Sequence, residues 1–102
     1  MKSSLLPERP LLISPTLAAT IGLEEAVMLQ VLAELIHSKE KRERASNPSL
    51  QWAALDEGDL QEAFPFWAPV DIRRVQSSLL NLGLIAVDPS LDTSASFYAV
   101  VD

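Results

Sequence analysis

Apolar and polar positions along the chain predict a series of four helices and three short strands. Ser14 followed by Pro15 marks the start of a short helix over 15–21, because serine caps free amides and proline at the first helical position loses no hydrogen bond. Gly22 separates it from a second helix over 23–38, since glycine readily adopts the backbone conformation that closes a helix. We expect the chain to turn at Gly22 and continue as helix.

The second predicted helix is apolar around nearly its whole circumference. Only a narrow polar stripe interrupts it, formed by Glu24, Gln30, Glu34 and His37. A domain of this size has few ways to cover every side of one helix, so the surplus apolar surface predicts a partner chain. The residues expected at that interface are Leu11, Leu12, Ile13, Val27, Val31 and Leu35.

A polar segment and a short strand follow the second helix. The segment 38–49 has no large apolar side chain, which predicts a solvated helix end and a loop. Over 50–55, Leu50, Trp52 and Ala54 alternate with Ser49, Gln51 and Ala53, which predicts a short half-buried strand. Asp56 and Asp59 have the spacing of a capping box, which predicts a helix over 57–64.

An aromatic turn, FPFWAP, leads into the last predicted helix, which begins at Pro69 or Val70. Its apolar residues recur at steps of three and four and predict an inward stripe of Ile72, Val75, Leu79 and Leu82. The opposite face carries Arg73, Arg74, Ser77, Ser78 and Asn81. Gly83 ends this helix, and strands over 84–87 and 96–101 enclose a loop over 88–95.

This order of elements is that of a winged helix-turn-helix domain. It predicts an α+β fold, mainly helical, in which a wing hairpin and the middle strand form a small antiparallel sheet. We expect the domain to span 14–102, after an extended N-terminal segment over 1–13. The stretch LLNLGLI at 79–85 resembles the end of the recognition helix in winged-helix domains, where glycine permits a tight reversal.

Two longer pieces, SPTLAATIGLEEAVMLQVLAELI and FPFWAPVDIRRVQSSLLNLGLI, carry a narrower resemblance. Together they resemble the N-terminal winged-helix domain of phage replication proteins and of primosomal replication-restart proteins similar to DnaT. The resemblance covers roughly residues 11–101. In such proteins a separate C-terminal region supplies single-strand binding, and nothing in this sequence corresponds to it. The resemblance therefore implies one domain of a longer protein.

Composition and charge restrict the function further. The chain has eight Lys and Arg residues and 14 Asp and Glu residues, which gives a net charge of −6. This charge excludes a uniformly basic surface that binds nucleic acid by charge alone. Cysteine is absent and His37 is the single histidine, so thiolate chemistry and most catalytic and metal-binding groups cannot be assembled. We expect neither an enzyme nor a cofactor, metal or small-molecule substrate. Without a membrane span or signal peptide in the sequence, we expect a cytoplasmic protein.

Two groups of polar and basic residues are candidates for DNA contact. Arginine, serine and asparagine side chains reach phosphates and base edges from a recognition helix, and the first group is Arg73, Arg74, Ser77, Ser78 and Asn81. The second group, after the long helix, is Lys39, Lys41, Arg42 and Arg44. Either group is also explained as an ordinary solvated face. Five carboxylates oppose phosphate near the first group: Asp56, Glu57, Asp59, Glu62 and Asp71.

Six aromatic residues raise the alternative of base stacking, but most fall at element edges that are expected to pack on a core. Phe66 or Trp67, in the aromatic turn, is the expected exception.

Two functional hypotheses result. The first is a winged-helix module of a DNA replication or restart protein that acts in self-association or in contact with other replication proteins, with weak DNA contact. Its partner is a second copy in a homodimer or another oligomer. The alternative is a sequence-specific transcriptional regulator that reads duplex DNA through Arg73 and Arg74.

Overall fold

A computed structural model describes residues 14–90 and 94–101. Within these residues the fold is α+β, with four helices and one three-stranded antiparallel sheet. In chain order the elements are α1 (Pro15–Ile21), α2 (Leu23–Ser38), β1 (Ala53–Leu55), α3 (Glu57–Ala63), α4 (Pro69–Asn81), β2 (Ile85–Pro89) and β3 (Ser96–Val100). The segment predicted over 1–13, with Leu11, Leu12 and Ile13, lies outside the described residues.

Local signals in the sequence set the starts and ends of the helices. The Ser14 hydroxyl oxygen accepts a hydrogen bond from the Leu17 amide at 3.2 Å, as an N-cap should. Asp56 and Asp59 form the predicted capping box, each carboxylate accepting from the other residue's amide, at 2.7 and 3.0 Å. Gly83, just past α4, has a φ of 72°, which confirms the predicted reversal there.

The sheet has the order β1-β3-β2, so the last strand of the chain lies in the middle. Tyr98 of β3 is paired with Ala53 on one side and Val87 on the other. β2 is longer than predicted: Asp88 and Pro89 belong to it rather than to the loop. Proline is tolerated there because β2 is an edge strand and Pro89 is its last residue.

The prediction for the first strand is wrong in its extent and in its face. β1 begins at Ala53, and Ala53 and Leu55 are buried whereas Ala54 is exposed. Trp52 is buried too, but its backbone forms an isolated bridge to Arg42 instead of pairing with β3. Trp52 and Ala53 are both buried although they are adjacent in the chain. The alternating pattern that starts at Leu50 therefore assigned Ala54, rather than Ala53 and Leu55, to the buried face of the strand.

The core lies between α2, α3, α4 and one face of the sheet. Its buried residues are Met28, Leu32, Ile36, Ala53, Leu55, Leu60, Phe64, Ile72, Val75, Leu79, Ile85 and Tyr98. The predicted stripe on α4 is confirmed for its first three residues, but Leu82 is 49% exposed. Leu82 is the C-cap of α4, one residue beyond the end of the helix, and its exposure shows that the buried stripe ends at Leu79.

The long helix α2 finds most of its cover inside the same chain. Ala26, Met28, Leu32 and Ile36 are buried, and Val31 and Leu35 pack in part against the core. The expected burial on nearly every side is therefore too broad, and Leu23 is 64% exposed. No single helix in residues 14–90 and 94–101 is long and apolar enough to cross a membrane; α1 and α2 meet the criteria of length and composition only as a pair bent by 118°.

Candidate interaction surface on helix 4

Helix α4 presents its polar residues outward because its apolar residues anchor the other side. Ile72, Val75 and Leu79 are buried, whereas Arg73 and Arg74 are exposed. Of the remaining candidates on this helix, Ser77 and Asn81 are exposed and Ser78 is half-buried. The structure therefore brings all five candidate residues to one helix, outside its buried stripe.

Arg74 is bound by two carboxylates from its own chain. Its two terminal nitrogens donate to Glu24 Oε1 at 3.1 Å and to Glu24 Oε2 at 2.8 Å, a bidentate pair between α4 and the start of α2. One of them also lies 3.4 Å from Asp71 Oδ1. The hydrogen bond from Arg74 lowers the pKa of Glu24, and the same pair raises the pKa of Arg74.

Arg73 differs from its neighbour, since it forms no ion pair within the described part of the chain. It lies on the wall of a groove of about 270 Å³ between α3 and α4. Leu60 and Ile72 contribute apolar lining to this groove, and Glu57 contributes a carboxylate on the α3 side. The groove is smaller than the ~300–1,000 Å³ typical of a small-molecule or cofactor site.

The second basic group is largely engaged in contacts within the chain. Lys39 Nζ lies 3.8 Å from Asp59 Oδ1, and Lys41 Nζ donates to the His37 carbonyl at 2.9 Å, at the C-terminal end of α2. Arg42 uses its backbone to bridge Trp52. The contacts of these three residues therefore hold the segment after α2 against the rest of the chain.

Arg44 is held against the hairpin formed by β2 and β3. Its Nε donates to Asp88 Oδ2 at 2.6 Å, and its guanidinium carbon lies 3.9 Å from the centre of the Phe97 ring. The Ser46 hydroxyl donates to the same oxygen of Asp88 at 2.9 Å. Arg44 and then Ser46 lower the pKa of Asp88 by these hydrogen bonds.

Glu24 and Asp88 are the ion-pair partners that the sequence did not reveal. They lie 50 and 44 residues from their arginine partners, and no local spacing connects residues that far apart. The acidic residues expected to repel phosphate were those of α3 and Asp71. In the structure Asp71 does contact Arg74, but Glu24 of α2 makes the closer contact.

Within the described ranges, the large exposed apolar side chains lie outside the α2 positions that the sequence proposed for an interface. Val27, Val31 and Leu35 are half-buried, and the other three expected interface residues lie outside the described ranges. The large apolar side chains that are exposed are Leu23 (64%), Val70 (62%), Phe66 (55%), Leu82 (49%) and Leu80 (39%). Three of these five belong to α4 or its C-cap, and a fourth precedes Glu24 at the start of α2.

The aromatic turn is ordered by ring contacts and by one amide. Trp67 stacks on the buried ring of Phe64 with centroids 5.3 Å apart, and Phe66 meets Trp67 edge-on at 5.1 Å. Gln61 Nε2 donates to the carbonyls of both Phe64 and Trp67. Trp67 packs partly against the core, so Phe66 is the exposed ring, one of the two expected exceptions.

Within the described ranges, no group of three or more histidine, aspartate and glutamate side chains is arranged to hold a metal ion. No protein-family model matches the sequence, and no curated protein or solved structure matches it significantly.

Proposed function

We propose that this chain is a winged-helix module of a DNA replication or restart protein, and that it acts in protein association, chiefly with a second copy of itself. The element order and the sheet order β1-β3-β2 support the winged-helix assignment. In that arrangement α3 and α4 form the helix-turn-helix, and α4 occupies the place of the recognition helix.

The observation that carries the proposal is the presence of three exposed large apolar side chains on α4 and its C-cap, beside its polar residues. Val70, Leu80 and Leu82 are each at least 39% exposed at the helix that would enter a DNA groove. A recognition helix meets DNA with polar and basic side chains, because phosphates and base edges are polar. Large apolar side chains exposed along such a helix favour a protein contact instead.

The charges on the same face support this choice. Arg74 is neutralised by Glu24 and Asp71, and the whole chain carries a net charge of −6. Only weak DNA contact is expected from such a surface, with a dissociation constant poorer than about 10 µM at physiological salt. The replication assignment itself rests on the sequence resemblance, and it predicts a single-strand-binding region in the same gene product.

Sedimentation equilibrium tests the association directly. The chain at micromolar concentration should form a dimer or larger species, and Leu23→Ser with Val70→Ser should shift it toward monomer. Ala45→Ser with Ala54→Ser is the control, since both alanines are exposed outside α2 and α4. A chain that stays monomeric up to hundreds of micromolar, or a control that dissociates as far as the test variant, would refute the proposal.

Arg73 favours the second candidate, a transcriptional regulator that reads duplex DNA. Within the described residues its guanidinium has no carboxylate partner, and Asn81 is exposed on the same helix. A regulator would bind a specific duplex tightly and with strong salt dependence. Arg73→Ala would then lower the slope of log affinity against log salt by about 0.9. Undetectable duplex binding by the parent chain rejects this candidate.

A further inference from the structure

The carboxylates around Arg74 occupy the donors that a nucleic-acid phosphate would need. A guanidinium has five N–H donors in a planar fork. Glu24 takes one from each terminal nitrogen, and Asp71 Oδ1 lies within 3.4 Å of one of those nitrogens. The fork that matches a carboxylate bidentately also matches a phosphate, so the two anions compete for one site.

The local charge is unfavourable for phosphate as well. Two carboxylates surround one guanidinium, which leaves this cluster with one net negative charge. Arg74, Glu24 and Asp71 are 54%, 46% and 40% exposed, so water and solute ions reach all three side chains. Ion pairs this exposed contribute little to folding, and their removal should leave the fold intact.

We propose that Glu24 and Asp71 act as an internal substitute for phosphate and keep the exposed face of α4 from binding the backbone of nucleic acid. The inference rests on the proposed function, because it takes α4 to occupy the place of a recognition helix. Glu24 and Asp71 are then specificity-determining residues: they suppress DNA contact on a surface that is used for protein association.

A purely structural role for these ion pairs makes a different prediction. If the Arg74–Glu24 pair served only to fasten α4 to α2, its removal would change stability slightly and would not change affinity for DNA. The exposure of the pair favours competition with phosphate, since the Arg74 and Glu24 side chains are 54% and 46% exposed where they meet.

The test is DNA binding by the variant Glu24→Gln with Asp71→Asn. Both substitutions keep the shape of the side chain, and the amide oxygen introduced by Asp71→Asn can still accept from the Ala68 amide, as the Asp71 carboxylate does at 3.3 Å. Fluorescence anisotropy with a short mixed-sequence duplex, and with one of its strands alone, measures affinity at two salt concentrations. We expect duplex affinity to rise roughly tenfold at low salt, with the salt slope steeper by about 0.9.

A charge-matched control separates the local effect from the change in net charge. Glu40→Gln with Glu43→Gln also removes two negative charges, from exposed carboxylates between α2 and β1 that have no ion pair in residues 14–90 and 94–101. Adding Arg74→Ala to the test variant should abolish the gain in affinity. An unchanged affinity, or an equal gain in the control, overturns the proposal.

Two further measurements keep the result interpretable. If the double variant loses its thermal transition, Glu24→Gln alone leaves the Asp71 cap in place and should give a smaller gain of the same sign. Sedimentation of each variant without DNA reports self-association independently. If the parent is monomeric and the variant gains DNA affinity, the proposed association is rejected and the role of the carboxylates is supported. If the parent is dimeric and the variant does not gain DNA affinity, the association is supported and the role of the carboxylates is rejected.

Discussion

The hydroxyl of Tyr98 donates a hydrogen bond to Gln76 Oε1 over 3.0 Å, and this bond joins the central strand β3 to α4 across 22 residues of sequence. Tyr98 is only 5% exposed, so its ring belongs to the core while its hydroxyl reaches the edge of the helix. The orientation of α4 on the sheet therefore depends on a polar contact as well as on apolar packing.

Tyr98→Phe should lower the free energy of unfolding by about 0.5–1.5 kcal/mol, since it removes one side-chain hydrogen bond and keeps the ring. Urea denaturation measures the loss. Gln76→Ala combined with Tyr98→Phe provides a double-mutant cycle, and additive effects of the two substitutions would show that the hydrogen bond contributes nothing.

Burial raises the pKa of Tyr98, and this exceeds the opposing effect of the Gln76 hydrogen bond. Because the folded-state pKa lies above that of the unfolded chain, the fold should lose stability as the pH rises above about 10. The chain has one tyrosine, so tyrosinate absorbance reports this group alone. Titration at an ordinary tyrosine pKa in the folded protein would contradict the burial described for the ring.

Leu79 and Leu82 form a matched pair for testing the inward face of α4. Leu79 is fully buried, and Leu79→Ala should cost about 2–5 kcal/mol of unfolding free energy. Leu82→Ala removes the same atoms from a half-exposed cap and should stay within about 0.5 kcal/mol. Denaturant melts of the two variants give the comparison; equal losses would mean that the face of the helix is misassigned.

Acid should weaken two long-range ion pairs together. The pKa of Glu24 is lowered by Arg74, and that of Asp88 by Arg44 and Ser46. Both carboxyl groups have a lower pKa in the folded chain than in the unfolded chain. The pairs therefore stabilise the fold at a pH above the ordinary carboxyl pKa, and this stabilisation is lost as the pH falls through the lowered pKa values. Glu24→Gln and Asp88→Asn should each be less stable than the parent at neutral pH and should converge with it in acid. A difference that does not depend on pH would exclude this origin.

The sequence predicted the helices well because their signals are local. Ser14, Asp56 and Gly83 lie at the ends of helices and act on backbone groups within a few residues of themselves. Apolar spacing likewise identified the inward face of α4, up to the point at Leu82 where the helix ends.

Features that depend on distant residues were not predictable in the same way. The face of β1 follows from its packing on the core and from the Trp52 bridge to Arg42, neither of which alternation in the sequence reports. Asp88, the partner of Arg44, and Glu24, the closer partner of Arg74, come from elements far along the chain. The candidate basic residues were identified from their type, but these two ion pairs required the three-dimensional fold.

The bridge between Arg42 and Trp52 has a consequence for aggregation. Its two backbone hydrogen bonds, of 2.8 and 2.9 Å, lie beside the short edge strand β1, which offers only three residues for pairing. A strand from another molecule that paired with Trp52 would have to displace Arg42. Short edge strands resist strand addition, so we expect this side of the sheet to be a poor site for the growth of fibrils.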